Sequence, residues 1–271
     1  ILAENTSSDT VQRAESALEA IQRGDLSSAR TTLEELLQQN PENEQVALML
    51  GTLNLQEGRV EDAETLLTGN IDAETTPTPF IRAATITQLD GGKREEALRT
   101  LARAIEARPK DTDLLAMHGI LALSLPEHQE SGVHSLSKAL DIDPTRSRLR
   151  LGLAQHYMSK GQQEQALAQM RMAFTETPTD WTVTQNYIGL LFQADKESEA
   201  DEVAESLLNG FSDSPRAVTL AALTKHRLGE TAAARSRLEQ QLEENPEDLP
   251  SLTAMASIHH SEREFDEAAD T

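Results

Sequence analysis

Apolar residues recur along this chain at helical spacing, in stretches that come in pairs. Within residues 147–180, Leu149, Leu153, Ala154 and Tyr157 keep one helical phase. After Gly161 the phase starts afresh with Ala166, Leu167, Met170, Ala173 and Phe174. The pattern predicts two amphipathic helices, antiparallel because only a short turn separates them. The pair is then written repeatedly. Gly24…Ala29, Gly58…Ala63 and Gly92…Ala97 stand 34 residues apart, and after a one-residue slip Gly161…Ala166 and Gly229…Ala234 resume the phase. Glu127…Gly132, Asp195…Ala200 and Arg263…Ala268 lose the first glycine and keep the small residue five positions on. The glycine belongs to the turn, where a backbone without a Cβ takes positive φ and ends the first helix. The small residue lies one turn into the second helix and admits a close neighbour. Pro41, Pro109, Pro144, Pro178 and Pro246 follow the second helices, which cannot continue through a residue with no N–H.

Self-similarity at this period is the mark of stacked helix-turn-helix units. An all-α solenoid of antiparallel helix pairs is expected, with about eight repeats at residues 10–43, 44–77, 78–111, 112–146, 147–180, 181–214, 215–248 and a truncated 249–271, behind a tail at 1–9. Gly69 and Asn70 interrupt the second helix of the second repeat, and Thr75-Thr76-Pro77-Thr78-Pro79 follows. That segment, 69–79, reads as an elbow, with Pro79 opening the next helix. The chain begins at Ile1 and stops at Thr271 inside a predicted second helix. It reads as a fragment, with further repeats or a capping helix expected beyond it.

These residues resemble the tetratricopeptide repeat family. Counted from Ser147, Ala154, Tyr157, Gly161, Ala166, Ala173 and Pro178 fall at the family's positions 8, 11, 15, 20, 27 and 32; counted from Thr78, Gly92, Ala97, Ala104 and Pro109 do the same. The resemblance covers nearly the whole chain. It implies a right-handed superhelix whose first helices line a concave groove, with positions 2, 5, 9, 12 and 13 facing inward. It also implies a non-enzymatic protein-protein interaction scaffold. Position 24 departs from the family's frequent aromatic residue: it holds Leu33, Leu67, Leu101, Leu136, Met170, Ala204 and Leu238. The clamp of chaperone-binding members needs Asn at position 9, where this chain has Leu18, Thr52, Ile86, Ile120, Gln155, Gly189, Leu223 and Ser257. Of the asparagine ladder at position 6 only Asn186 is present.

Charge narrows the partner. A net charge of −22 argues against nucleic acid, whose backbone it would repel. The first helices of the fifth to seventh repeats nevertheless invert that charge. Pro144 to Gln163 carries Arg146, Arg148, Arg150 and Lys160 without an acid, and Ser214 to Gly229 carries Arg216, Lys225 and Arg227 without one. Trp181 to Ala194 between them is uncharged and offers Gln185, Asn186 and Gln193. A groove for an acidic or extended peptide is expected, with Arg148, Gln155, Gln185, Asn186, Arg216 and Arg227 as partner-binding residues. The alternative is that the basic residues bridge to acids of neighbouring second helices, such as Glu199, Glu202 and Glu205.

No recognisable catalytic set is present, and neither a cofactor nor a metal is expected. There is no cysteine, and no apolar run approaches the roughly 20 residues of a membrane span. His118 occupies a core position and reads as an interior histidine. His259 and His260 are adjacent and so diverge on a helix, a poor metal pair. Asn5-Thr6-Ser7 matches a glycosylation acceptor by pattern only. Resemblance further suggests a bacterial envelope or periplasmic setting, in exopolysaccharide export or among the repeat lipoproteins of PEP-CTERM protein sorting. Other readings are a recruiting or regulatory arm of a larger enzyme such as a glycosyltransferase, and a self-associating spacer; a monomer is the expected state.

Overall fold

A computed structural model of the protein describes residues 8–269. The Asn5-Thr6-Ser7 triplet and most of the expected tail at 1–9 lie outside the described residues, as do the side chains of Arg263 and Ala268. Among the described residues the structure is helical, and it divides into two compact units, the first ending at Ile142 and the second beginning at Asp143.

The first unit holds four helix pairs: α1 (Ser8–Gln22) with α2 (Leu26–Gln39), α3 (Glu44–Gln56) with α4 (Val60–Thr68), α5 (Thr78–Asp90) with α6 (Arg94–Ala107), and α7 (Thr112–Leu123) with α8 (Gln129–Ile142). The second unit holds α9 (Ser147–Ser159) with α10 (Gln163–Glu176), α11 (Trp181–Gln193) with α12 (Glu197–Gly210), α13 (Pro215–Arg227) with α14 (Thr231–Glu244), and α15 (Leu249–Ala269). The chain is thus an α-solenoid of helix pairs.

The turn within a pair is a backbone motif. At Gly161, with φ +70°, the amide donates to the Met158 carbonyl at 2.9 Å and the next amide, of Gln162, reaches back to Tyr157 at 2.8 Å. These two bonds satisfy carbonyls that the end of α9 leaves open. Asp195 stands where the sixth repeat lacks its glycine, and it takes φ +55° with the same two bonds, to Phe192 at 3.2 Å and from Lys196 to Leu191 at 2.9 Å. The fourth repeat solves the turn otherwise. A 3-10 turn at Pro126–His128 joins α7 to α8, and it carries the one-residue slip.

Small residues set how closely the helices pack. Ala29, Ala63, Ala97, Ala166, Ala200 and Ala234, at equivalent places in successive second helices, are completely buried. In the fourth repeat the place belongs to Gly132, where a Cβ would come within 2.8 Å of the Leu123 amide nitrogen. One turn further on, Leu33, Leu67, Leu101, Leu136, Met170, Ala204 and Leu238 are buried too, so aliphatic side chains fill the place of the family's aromatic residue. Successive repeats are also bonded at their N-terminal ends. The Thr78 hydroxyl donates to Asp111 Oδ2 at 2.6 Å, and Ser147 repeats the contact with Asp180 at 3.0 Å. Burial pushes the Asp111 carboxyl up, but the Thr78 hydroxyl, the Leu114 amide and nearby Arg108 outweigh it and hold the group below the ordinary carboxylate range.

The irregular segment after α4 is a closed turn: Asp72 accepts the amides of Glu74 and Thr75 at 2.9 and 2.8 Å, and the buried Thr76 hydroxyl accepts the Asp72 amide at 2.8 Å. Pro79 lies in the first turn of α5, as its sequence context required. At the far end, α15 runs through residue 263 uninterrupted, so the eighth helix pair predicted there is a single helix. Arginine at 263 is neither a glycine nor a short polar residue such as Asp195, the residue types that accept positive φ and end a helix.

Candidate functional site

The charge-inverted helices all belong to the second unit, and two of them present a continuous face. Along α13, Arg216, Leu220, Leu223 and Arg227 are spaced to lie in one stripe, while Ala217, Val218, Ala221 and Ala222 are buried behind them. Along α11, Gln185, Asn186, Phe192 and Gln193 remain accessible while Val183, Thr184, Tyr187, Ile188 and Leu191 fill the core. A cavity of about 710 Å³ lies across α9, α11 and α13, floored by Leu151, Met158, Leu220 and Leu223. A second cavity of about 350 Å³ shares Gln185, Leu220 and Leu223 with it and extends to Trp181 and Arg216. The two form one trough along α13.

Of the residues expected to bind a partner, Gln155, Gln185, Asn186 and Arg227 line the larger cavity, and Arg216 lines the smaller. Arg148 lines neither. Its side chain is 79% exposed at the start of α9, and its Nε lies 3.7 Å from Asp180. Asn186 donates to the Thr182 carbonyl of its own helix at 2.7 Å.

Three further cations of this region are engaged elsewhere, while Lys160 is exposed at the end of α9 and lines neither cavity. Arg146 pairs with Asp143 at 3.4 Å, and Arg150 is buried, with a guanidinium nitrogen 3.4 Å from Gln169 Oε1. Lys225 reaches Asp201 on α12 at 2.8 Å and Glu205 at 3.9 Å. The hydrogen bond to Asp201 raises the Lys225 amine above its ordinary value, with desolvation opposing it. Bridging to a second helix is therefore what Lys225 does. Arg216 and Arg227 are different, since both line the trough and neither forms an ion pair among the described residues.

Sequence reasoning missed the aromatic members of the trough. Phe192 lies under Arg227, whose guanidinium carbon is 4.1 Å from the ring centroid. The signal was available, because Phe192 falls at position 12, one of the groove positions of the resemblance. Trp181 opens α11 and gave no such signal.

Outside the trough, one histidine belongs to the core. His118 is buried with Nδ1 2.8 Å from the Ser135 hydroxyl, and burial lowers its pKa, helped by the nearby His128. His259 contacts Arg235 at 3.2 Å. Among the described residues no group of three metal-ligating side chains is brought together, and no helix is long and apolar enough to cross a membrane.

Comparison with known proteins gives a consistent picture. Two family models, each described as tetratricopeptide repeat, match residues 20–73 and 70–210. No curated protein matches the chain. Among solved structures, a tetratricopeptide repeat protein from Parabacteroides merdae ATCC 43184 is 19% identical with a TM-score of 0.58, covering 92% of this chain and 98% of its own. YrrB, described as a TPR protein with an unusual peptide-binding site, is 15% identical with a TM-score of 0.55, covering 68% of this chain and 90% of its own. MamA from Desulfovibrio magneticus RS-1 is 17% identical with a TM-score of 0.56, covering 64% and 97%. At these identities the likeness is one of fold.

Proposed function

Given that the chain belongs to the tetratricopeptide repeat family, we propose that it is a protein-interaction scaffold whose α11–α13 trough receives a segment of a partner protein. The observation that carries the reading is the convergence of Gln155, Gln185, Asn186 and Arg227 on one cavity with an apolar floor. Small numbers of polar groups around an apolar depression are what orients a bound segment. The amides offer donors and acceptors to a partner's main chain, and Arg227 offers a charge that no carboxylate of its own unit takes up. The peptide-binding site named for YrrB supports the same use of the fold. A bacterial envelope setting rests on resemblance alone, and no contact in the trough favours that setting, a recruiting arm of a larger enzyme or a self-associating spacer.

A photo-crosslinking side chain placed at Gln185 tests the reading. Partner segments captured from native extract should be lost in the Arg216→Glu, Arg227→Glu double variant and kept in Arg148→Glu, with circular dichroism unchanged in both. Equal capture by all three proteins removes the trough from the account.

A further inference from the structure

The trough has two ends of like composition. At one end Trp181 and Arg216 line the smaller cavity, and at the other Phe192 and Arg227 line the larger. Each end takes its aromatic residue from α11 and its arginine from α13. On each helix the two members stand eleven residues apart. Eleven residues are close to three full turns, so both members of a helix face the same way, separated by about 16 Å along the axis. Between the ends the floor is apolar, formed by Leu220 and Leu223. Both arginines are exposed and neither has an ion-pair partner among the described residues.

From this arrangement we infer that the trough selects an extended acidic–apolar–acidic segment whose two carboxylates are held by Arg216 and Arg227 at once. The inference rests on the trough being a peptide-binding site, as proposed above. An extended chain advances about 3.3 Å per residue, so about five residues span the distance between the arginines. Alternate side chains point to opposite sides, so the two acids facing α13 stand four or six residues apart. The apolar side chain that enters between them sits two residues after the first acid and covers Leu220 and Leu223. An extended backbone carries unpaired amides and carbonyls, which the side chains of Gln155, Gln185 and Gln193 match; a helical ligand has none to offer along its length. Charge complementarity is local, since the cations lie in a chain of net charge −22. An acidic segment is repelled at long range and held only where both guanidiniums are met, which favours spacing over total charge.

The full chain reports its own binding, because Trp181 is its single tryptophan and lines the trough. The probes are capped nine-residue peptides carrying leucine between two glutamates at spacings i,i+4 and i,i+6. Controls carry adjacent glutamates, or glutamine at both sites. Titration followed by Trp181 emission should show one of the spaced peptides binding about tenfold more tightly than both controls. Arg216→Gln and Arg227→Gln should each remove that advantage, and neither should lose more when the glutamate opposite it is also replaced. If the glutamine peptide binds as tightly as the spaced ones, the paired-carboxylate inference is overturned and the peptide trough stands. If adjacent glutamates bind as tightly as spaced ones, the spacing rule is overturned. If no peptide changes Trp181 emission at millimolar concentration, the inference and the trough reading fall together.

Discussion

The guanidinium carbon of Arg227 lies 4.1 Å from the centroid of the Phe192 ring, joining the C-terminal ends of two first helices across one repeat boundary. The ring face carries partial negative charge, so the contact holds the arginine in place without neutralising it. Phe192→Leu keeps an apolar side chain and removes the ring. Urea unfolding should show a loss of about 0.5–1 kcal/mol. In combination with Arg227→Gln the two losses should be less than additive; strict additivity would mean that the pair has no coupling.

The turns predict opposite signs for two substitutions. Gly161→Ala places a Cβ at φ +70° and should destabilise the chain by about 1 kcal/mol. Asp195→Gly removes a Cβ from φ +55° and should stabilise it by a smaller amount. Chemical denaturation midpoints decide the matter, and a shift of both variants in the same direction would refute the shared-turn account.

His118 predicts a pH window. Its folded-state pKa lies below the ordinary histidine value of 6.5, first because the ring is buried and then because His128 is near. Below about pH 6.5 the unfolded chain therefore takes up a proton that the folded chain resists. Stability from this group is complete above that pH and declines as pH falls below it. His118→Gln should flatten the dependence of the thermal midpoint between about pH 6.5 and 5. Asp111, whose carboxyl is depressed, acts in a separate range: its contribution is present above the ordinary value of 3.8 and is lost in stronger acid. A wild-type and a His118→Gln curve that run parallel between pH 7.5 and 5 would show that the ring is not held neutral.

Much of the fold was legible because its determinants are local. The glycine that ends a first helix and the alanine one turn into the second act on atoms a few residues away, so their spacing alone located the helix pairs. The limits of that reading show at residue 263, where the small residue at 268 kept the phase but nothing supplied the turn. The candidate site was legible only in part. Counting charges along α13 identified Arg216, Lys225 and Arg227 alike, yet Asp201, on a different helix, occupies Lys225 and leaves the other two. Phe192 under Arg227 was hidden for the same reason: a contact between residues 35 apart is fixed by how first helices align. Arg148 carried the right charge at the right position, but the Asp180 carboxylate and the start of α9 place it outside both cavities.

Asp195 makes the turn that five glycines make elsewhere. What one repeat shares with the next is thus a torsion angle, and the amino acid is only one means of reaching it. A substitution at any of these six corners acts on that angle, and the glycines standing at them account for five of the six joints of this kind among the described residues.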